Sequence, residues 1–207
     1  ECTSFATLLN VQREVMLTGI GGQGIQLSAK TLATAAVAEG RHVMLLGHYA
    51  GAMRGGQTDA SVVLGDEPLR TLPIVQEAWA GIVMHDSYWP STNERIRPGG
   101  VIAVNSSLVH DVGRPDCTVI EVPANDIAHQ IGAPMSAGYV LVSAFAAATS
   151  LVSVDAMVTA MRELVPSYRT QHLEANEQAI RAGFDRAPSP DLAAWGHPAG
   201  ATAGGSR

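Results

Sequence analysis

Lysine is almost missing from this chain: Lys30 is the only one in 207 residues. Basic residues number 13 against 19 acidic ones, and the net charge of −6 argues against a nucleic-acid grip, which relies on clustered Lys and Arg. Cysteine is scarce as well. Cys2 and Cys117 lie far apart with no Cys-x-x-Cys, so neither an iron–sulfur cluster nor a zinc site can be assembled from this chain's cysteines alone. A reducing cytoplasm is the natural compartment for such cysteine usage. No basic-then-apolar signal pattern is present. The most apolar stretch, residues 137–152, is interrupted by Gly138, Ser143 and Thr149 and falls short of the roughly 20 residues a membrane span needs. It reads as a buried helix. Charged residues make up only 15% and aromatics 5%, against 46% hydrophobic, so packing rests on small side chains. That composition suits burial inside a larger complex, with an Ala-rich solitary domain as the plain alternative.

What is present is a strand–helix alternation of a length suited to one α/β domain. The apolar run Val15-Met16-Leu17 reads as a first strand, followed by the glycine turn of residues 19–24. From Gln23 to Glu39 the apolar residues fall on one helical face, and Gly40 stands where a helix ends. Residues 43–46 read as a second buried strand, 47–57 as a glycine-rich loop and 60–64 as a short strand. Further strands are expected at 81–84, 101–104 and 117–122. Between them lie a short helix, a turn at Arg97-Pro98-Gly99-Gly100, and a helix from Pro123, placed at its first position, to Gln130. Residues 136–183 read as helical with a break at Val165-Pro166. The whole predicts a single doubly wound, mostly parallel α/β sheet with helices on both faces. The expected divisions are an extension at 1–12, the domain at 13–186, and a disordered, Pro-, Ala- and Gly-rich tail at 187–207.

In such a sheet ligands bind beyond the C-terminal strand edges. The segments expected there are the glycine turn (Gly19, Gly21, Gly22, Gln23, Gly24), the loop Tyr49 to Arg54-Gly55-Gly56, His85-Asp86 and Asn105-Ser106-Ser107. A glycine turn opening a helix lets backbone N–H groups approach an anion, and Arg54 adds a guanidinium for phosphate or carboxylate. The glycines match a dinucleotide fingerprint, but that pattern wants a carboxylate ending the second strand, and Leu45-Leu46-Gly47-His48 has none. The turn therefore reads as a phosphate-ligand or subunit contact, with NAD or FAD binding and pure turn packing as the other readings. For Arg54 a structural ion pair stands beside ligand binding. His85-Asp86 reads as a helix cap by Asp86 rather than an acid/base pair. The serines at 106 and 107 lack a G-x-S-x-G elbow and read as turn residues. His172, Glu174 and Glu177 have metal-ligand spacing, with a solvated polar face as the favoured reading.

Taken in order, these segments resemble the gamma subunit, or gamma domain, of the 2-oxoacid:acceptor (ferredoxin) oxidoreductases, from about Arg13 to Phe184. The resemblance rests on the glycine turn, the Leu32–Ala36 helix stretch and Tyr49 through Met53-Arg54-Gly55-Gly56. It is extended by Arg97-Pro98-Gly99-Gly100, residues 105–109, Val122-Pro123-Ala124, Ile127-Ala128, and Asn176 through Ile180. It implies an α/β subunit, not catalytic by itself, of an enzyme that oxidatively decarboxylates a 2-oxoacid to acyl-CoA or a free product, with ferredoxin or a related carrier taking the electrons. Thiamine diphosphate, Mg and 4Fe–4S clusters would sit on partner subunits. This chain has neither a cysteine array nor the Gly-Asp-Gly signature of thiamine enzymes. Its implied task is to help enclose the active site and handle coenzyme A. The residues implied are Gly19, Gly21, Gly22, Gln23, Gly24, Tyr49, Arg54, Gly55, Gly56, Asn105 and Ser106. Where many gamma domains read Tyr-Gly-Pro-Glu, this chain has Tyr49-Ala50-Gly51-Ala52, which leans toward an aryl-substituted 2-oxoacid. A free-standing NAD- or FAD-binding oxidoreductase domain is the alternative.

Overall fold

The computed structural model describes residues 11–49, 55–70, 74–188 and 192–195, and the backbone but not the side chain of Tyr49. Six strands form one sheet in the order β2-β3-β1-β4-β5-β6. They are β1 (Gln12–Ile20), β2 (His42–Tyr49), β3 (Gln57–Gly65), β4 (Ala78–Val83), β5 (Ile96–Asn105) and β6 (Thr118–Val122). Ladders from β1 through β4 and β5 to β6 are parallel, while β3 runs antiparallel to both β1 and β2. The reason is connection length. The short link between β2 and β3 permits only a hairpin, whereas parallel neighbours need a crossover.

Insertion of β3 between β1 and β2 changes two readings. Residues 43–46 belong not to a buried strand but to the sheet's edge, half-exposed along most of its length. The segment read as a short strand at 60–64 is a nine-residue strand inside the sheet, second from one edge. The expected loop at 47–57 shrinks accordingly, since Gly47, His48 and the backbone of Tyr49 complete β2 and Gln57 opens β3. Residues 50–54 lie outside the described residues.

Alternation sorts the strand residues onto two faces. Val15, Leu17, Val62, Leu64, Ile82 and Ala103 join a large core with the helices. These are α1 (Ile25–Ala38), α3 (Ala124–Gln130), α4 (Ala137–Thr149), α5 (Val154–Leu164) and α6 (Leu173–Asp185). Of these, α4 is buried on nearly every side, as a helix without a charged residue must be. Met16, Val63, Ile102 and Val104 face the other way and pack on Trp89. Among the described residues that side carries only the five-residue α2 (Trp89–Asn93), a single 3-10 turn and connecting segments, so the helical cover is unequal.

Three local readings are corrected by the geometry. Arg97-Pro98-Gly99-Gly100 is not a free turn but an irregularity inside β5. The register slips between Ala78 and Ala80, Gly99 takes a φ of +73°, and a Cβ on Gly100 would lie 2.8 Å from the Trp79 carbonyl. Pro123 is the N-cap of α3 rather than its first residue. Part of the expected disordered tail is packed: Ala194 is buried, its N–H donates to the Thr149 carbonyl at 2.7 Å, and its own carbonyl accepts from Arg13 Nε at 2.6 Å.

Candidate functional site

At the C-terminal edge of β1 the two glycine segments meet. The Gly21 N–H donates to the Gly56 carbonyl at 2.8 Å, continuing the Ile20–Gln57 register beyond the strands. A Cβ on Gly21 would still keep ordinary contact distances, 3.4 Å from the Gly55 nitrogen. Gly22, Gly24 and Gly55 adopt φ values of +105°, +77° and +82°, conformations that L side chains avoid. Gly24 is the N-cap of α1 and offers no side-chain acceptor, so the N-cap residue leaves the first-turn N–H groups of that helix without a side-chain cap. Gln23 closes the turn from within: its Oε1 accepts the Ile20 N–H at 2.9 Å. Gly19 makes room for that bond, since a Cβ there would lie 2.7 Å from the same oxygen.

The carboxylate next to this turn is already engaged. Asp59 accepts from the Thr18 hydroxyl at 2.7 Å and from Gln57 Nε2 at 2.6 Å. Tyr49 pairs with Thr58 through its backbone at the end of β2. Arg54 falls outside the described residues.

Asn105 and Ser106 stand apart from this cluster, two strands away at the end of β5. Asn105 is fully buried and its amide is fully committed. Nδ2 donates to the Met84 carbonyl at 3.3 Å and to Asn125 Oδ1 at 2.9 Å, and Oδ1 accepts the Ala124 N–H at 3.1 Å. It ties β4 and β5 to the start of α3. Ser107 Oγ accepts the Asp126 N–H at 3.3 Å, and the Ser106 N–H donates to the Val122 carbonyl at 2.9 Å. These are turn and cap contacts. At His85-Asp86 it is the histidine that caps: Nδ1 accepts the Ser87 N–H at 3.2 Å, opening the 3-10 turn that Asp86 was expected to cap.

Glu177 is held by arginines rather than poised for a metal. It bonds to Arg162 and, at 2.9 Å, to Arg181, and these hydrogen bonds, Arg162's first, hold its carboxyl below the usual carboxylate range. Among the described residues no three His, Cys, Asp or Glu side chains are grouped to hold a metal ion.

The structure adds residues that periodicity could not supply. A cavity of about 260 Å³ opens beside the glycine turn, and the segment after the Val165-Pro166 break folds over it with Arg169 and His172. The signal in the sequence was the break itself, which returns the chain toward the turn.

Residues 14–186 match the family described as pyruvate ferredoxin/flavodoxin oxidoreductase. The chain belongs to this family. The 2-oxoglutarate synthase subunit KorC of Methanocaldococcus jannaschii is 30% identical over 181 residues, covering 86% of this chain and 95% of that one. The pyruvate/ketoisovalerate oxidoreductases' common subunit gamma of Pyrococcus abyssi is 25% identical, covering 84% and 96%. Among solved structures, the gamma subunit of a keto/oxoacid ferredoxin oxidoreductase from Geobacter sulfurreducens superposes with a TM-score of 0.72 at 26% identity, over 84% of this chain and 95% of that one. A 2-oxoglutarate:ferredoxin oxidoreductase from Magnetococcus marinus, with 2-oxoglutarate, coenzyme A and succinyl-CoA bound, shares the fold at a TM-score of 0.75. At 16% identity the likeness shows fold alone; it covers 88% of this chain and 34% of that longer one. The family protein is thus a gamma-type subunit of a 2-oxoacid:ferredoxin oxidoreductase, matched over nearly the full length of its gamma relatives. The resemblance read from the motifs is borne out. The free-standing nucleotide-binding alternative is not favoured.

Proposed function

We propose that this gamma subunit closes the active site of a multi-subunit 2-oxoacid oxidoreductase and handles coenzyme A there through its glycine platform. The observation that carries this is the Gly21–Gly56 hydrogen bond, which joins the glycine turn to the Arg54-Gly55-Gly56 segment. Positive-φ glycines without described atoms beside them leave space for a phosphate at the start of α1, and the nearby Asp59 carboxylate is turned to Thr18 and Gln57. These features suit the anionic end of coenzyme A. Arg54 would supply the charge, and Gly19, Gly22, Gln23, Gly24 and Tyr49 would shape the turn around it.

Thiamine diphosphate, its Mg ion and the 4Fe–4S clusters belong on this reading to partner subunits, with ferredoxin or a related carrier as acceptor. Thiamine diphosphate supplies the carbanion chemistry that decarboxylates the 2-oxoacid. This chain's residues bind, orient and exclude water. The relatives named above act on 2-oxoglutarate, pyruvate or ketoisovalerate; the aryl-substituted substrate suggested by Ala52 is carried by the sequence alone.

Anaerobic purification from the native host tests the assembly. A brown complex with iron–sulfur absorption and larger thiamine-diphosphate subunits is expected, and a colourless species of this chain's mass alone would overturn it. Within the complex, Arg54→Ala should raise the apparent KM for coenzyme A while leaving subunit composition unchanged. An unaltered KM removes Arg54 from the coenzyme site.

A further inference from the structure

Three side chains converge on Asp59. Thr18 Oγ1 donates to its Oδ1 at 2.7 Å, Gln57 Nε2 to its Oδ2 at 2.6 Å, and Gln26 Nε2 to its carbonyl at 2.6 Å. Thr18 is the fixed end. It lies fully buried in β1, directly opposite Asp59 in the β1–β3 register, and its carbonyl accepts the Met84 N–H at 3.0 Å. The other two bonds reach the rim. Gln57 opens β3 straight after Gly55-Gly56, and Gln26 lies in the first turn of α1, just past Gly24. One residue thus grips the chain behind each glycine segment. Gly47 permits the second grip, since a Cβ there would meet the Gln26 amide and displace it. Gln57 Nε2 also lies 3.4 Å from Ser91 Oγ, which carries the contact on to α2.

Strand pairing alone does not call for this arrangement. The ladder from Gln12–Gly65 to Ile20–Gln57 runs without a register shift and aligns β1 with β3 through the backbone. Beyond that ladder, the backbone contact that joins the two glycine segments among the described residues is the Gly21–Gly56 bond. Asp59 reinforces it from the side. Its carboxylate is half-buried, and among the described residues no Lys, Arg or His forms an ion pair with it. Neutral donors hold it, and a charged acceptor makes such bonds stronger than a neutral one would.

We propose that Asp59 is a positioning residue: through Gln57 and Gln26 it holds the Gly55-Gly56 segment and the start of α1 at a fixed separation, so that the two halves of the platform meet a ligand already formed. A preformed site loses less of its binding free energy to ordering. Coenzyme A as that ligand rests on the reading above, whereas the positioning does not.

Two measurements test it. In the full chain, NMR hydrogen exchange reads the Gly21 N–H, whose acceptor is the Gly56 carbonyl. Asp59→Ala should speed that exchange by about tenfold or more, as loss of bonds to a charged group allows, while the Leu17 amide in the middle of β1 stays protected. In the assembled enzyme the same substitution should raise the KM for coenzyme A by roughly tenfold, with the KM for the 2-oxoacid and kcat nearly unchanged. Asp59→Asn should restore both readouts, because its Oδ1 accepts from Thr18 and its amide donates to a Gln57 side chain turned about. Thr18→Val removes one donor at constant shape and should move both readouts the same way by a smaller factor. Should Asp59→Ala fail to fold, Thr18→Val carries the test. Equal loss of protection at Leu17 and Gly21 with an untouched KM would make Asp59 merely architectural and overturns the proposal. Unchanged Gly21 exchange overturns it too, and if Arg54→Ala still raises the KM for coenzyme A, only this inference falls. Faster Gly21 exchange, with coenzyme A kinetics unmoved by either Asp59→Ala or Arg54→Ala, keeps the positioning and removes the coenzyme A reading.

Discussion

Gly21 and Gly56, 35 positions apart in sequence, are joined by a 2.8 Å hydrogen bond from the amide of the first to the carbonyl of the second. The bond makes one platform of two loops. Because β3 runs antiparallel to β1, the end of one strand and the beginning of the other meet at the same edge. The glycines on this platform are not equivalent, and substitution should separate them.

Gly24→Ala should cost about 1–2 kcal/mol, because its φ of +77° is a left-handed conformation that a Cβ opposes. Gly21→Ala meets no positive φ and only ordinary contacts, so it should be neutral or stabilising by up to about 1 kcal/mol through the unfolded chain. Urea unfolding of both variants gives the comparison. Equal destabilisation would show that the turn's conformation differs from this one.

Asn105 separates architecture from ligand contact. Its replacement by Ala leaves the Met84 carbonyl and the Ala124 N–H without their partner in a buried place, and should cost about 1–3 kcal/mol. Ser106→Ala, which leaves the main-chain bond to Val122 in place, should stay within about 0.5 kcal/mol. A stability-neutral Asn105→Ala that impairs turnover would return this residue to the binding site.

Arg114 grips Asp116 with two nitrogens at 2.8 Å and also reaches the Asn93 carbonyl, tying the segment after β5 to the end of α2. The hydrogen bond from Arg114 lowers the Asp116 carboxyl to about 2 from an ordinary 3.8. The unfolded chain therefore takes up this proton first as pH falls. The contribution is complete above the ordinary value and is lost between there and about pH 2. Carbon-detected NMR titration should find Asp116 among the lowest of the chain's carboxyls, and Arg114→Ala should bring it back toward 3.8.

Trp195 closes the lower end of the helical layer. Its Nε1 donates to the Leu151 carbonyl at 2.9 Å and the Arg41 guanidinium lies 3.9 Å over the ring. Trp195→Ala should lower stability by about 2 kcal/mol from lost burial and the lost bond. A double-mutant cycle with Arg41→Ala should give a coupling of roughly 0.5–1 kcal/mol. A coupling near zero would mean that the segment around Trp195 does not hold this position in solution.

Much of this was legible in residue order. The apolar run Val15 to Leu17, the helical stripe closed by Gly40, and the uncharged run after Ser136 each follow from local chemistry. Periodicity, caps and burial of an uncharged helix need only neighbours in sequence. The glycine turn was legible for the same reason, since positive φ is a demand a single residue answers.

Pairing and proximity were not. Nothing local marks β3 as the strand that enters beside β1 and leaves β2 at the edge, because that depends on which ladder wins across the whole sheet. Asn105 looked like a ligand residue after a strand, and only the fold brings Met84, Ala124 and Asn125 around it. Ser28, Ser136, Arg169 and Asn176 carry no shared motif and are spread over most of the chain. The sequence by itself determined a family, a strand–helix alternation and a glycine turn opening the first helix. The tertiary structure alone decided that the glycine turn, the start of α4 and the segment around Arg169 line one cavity, because convergence is a property of packing and not of order along the chain.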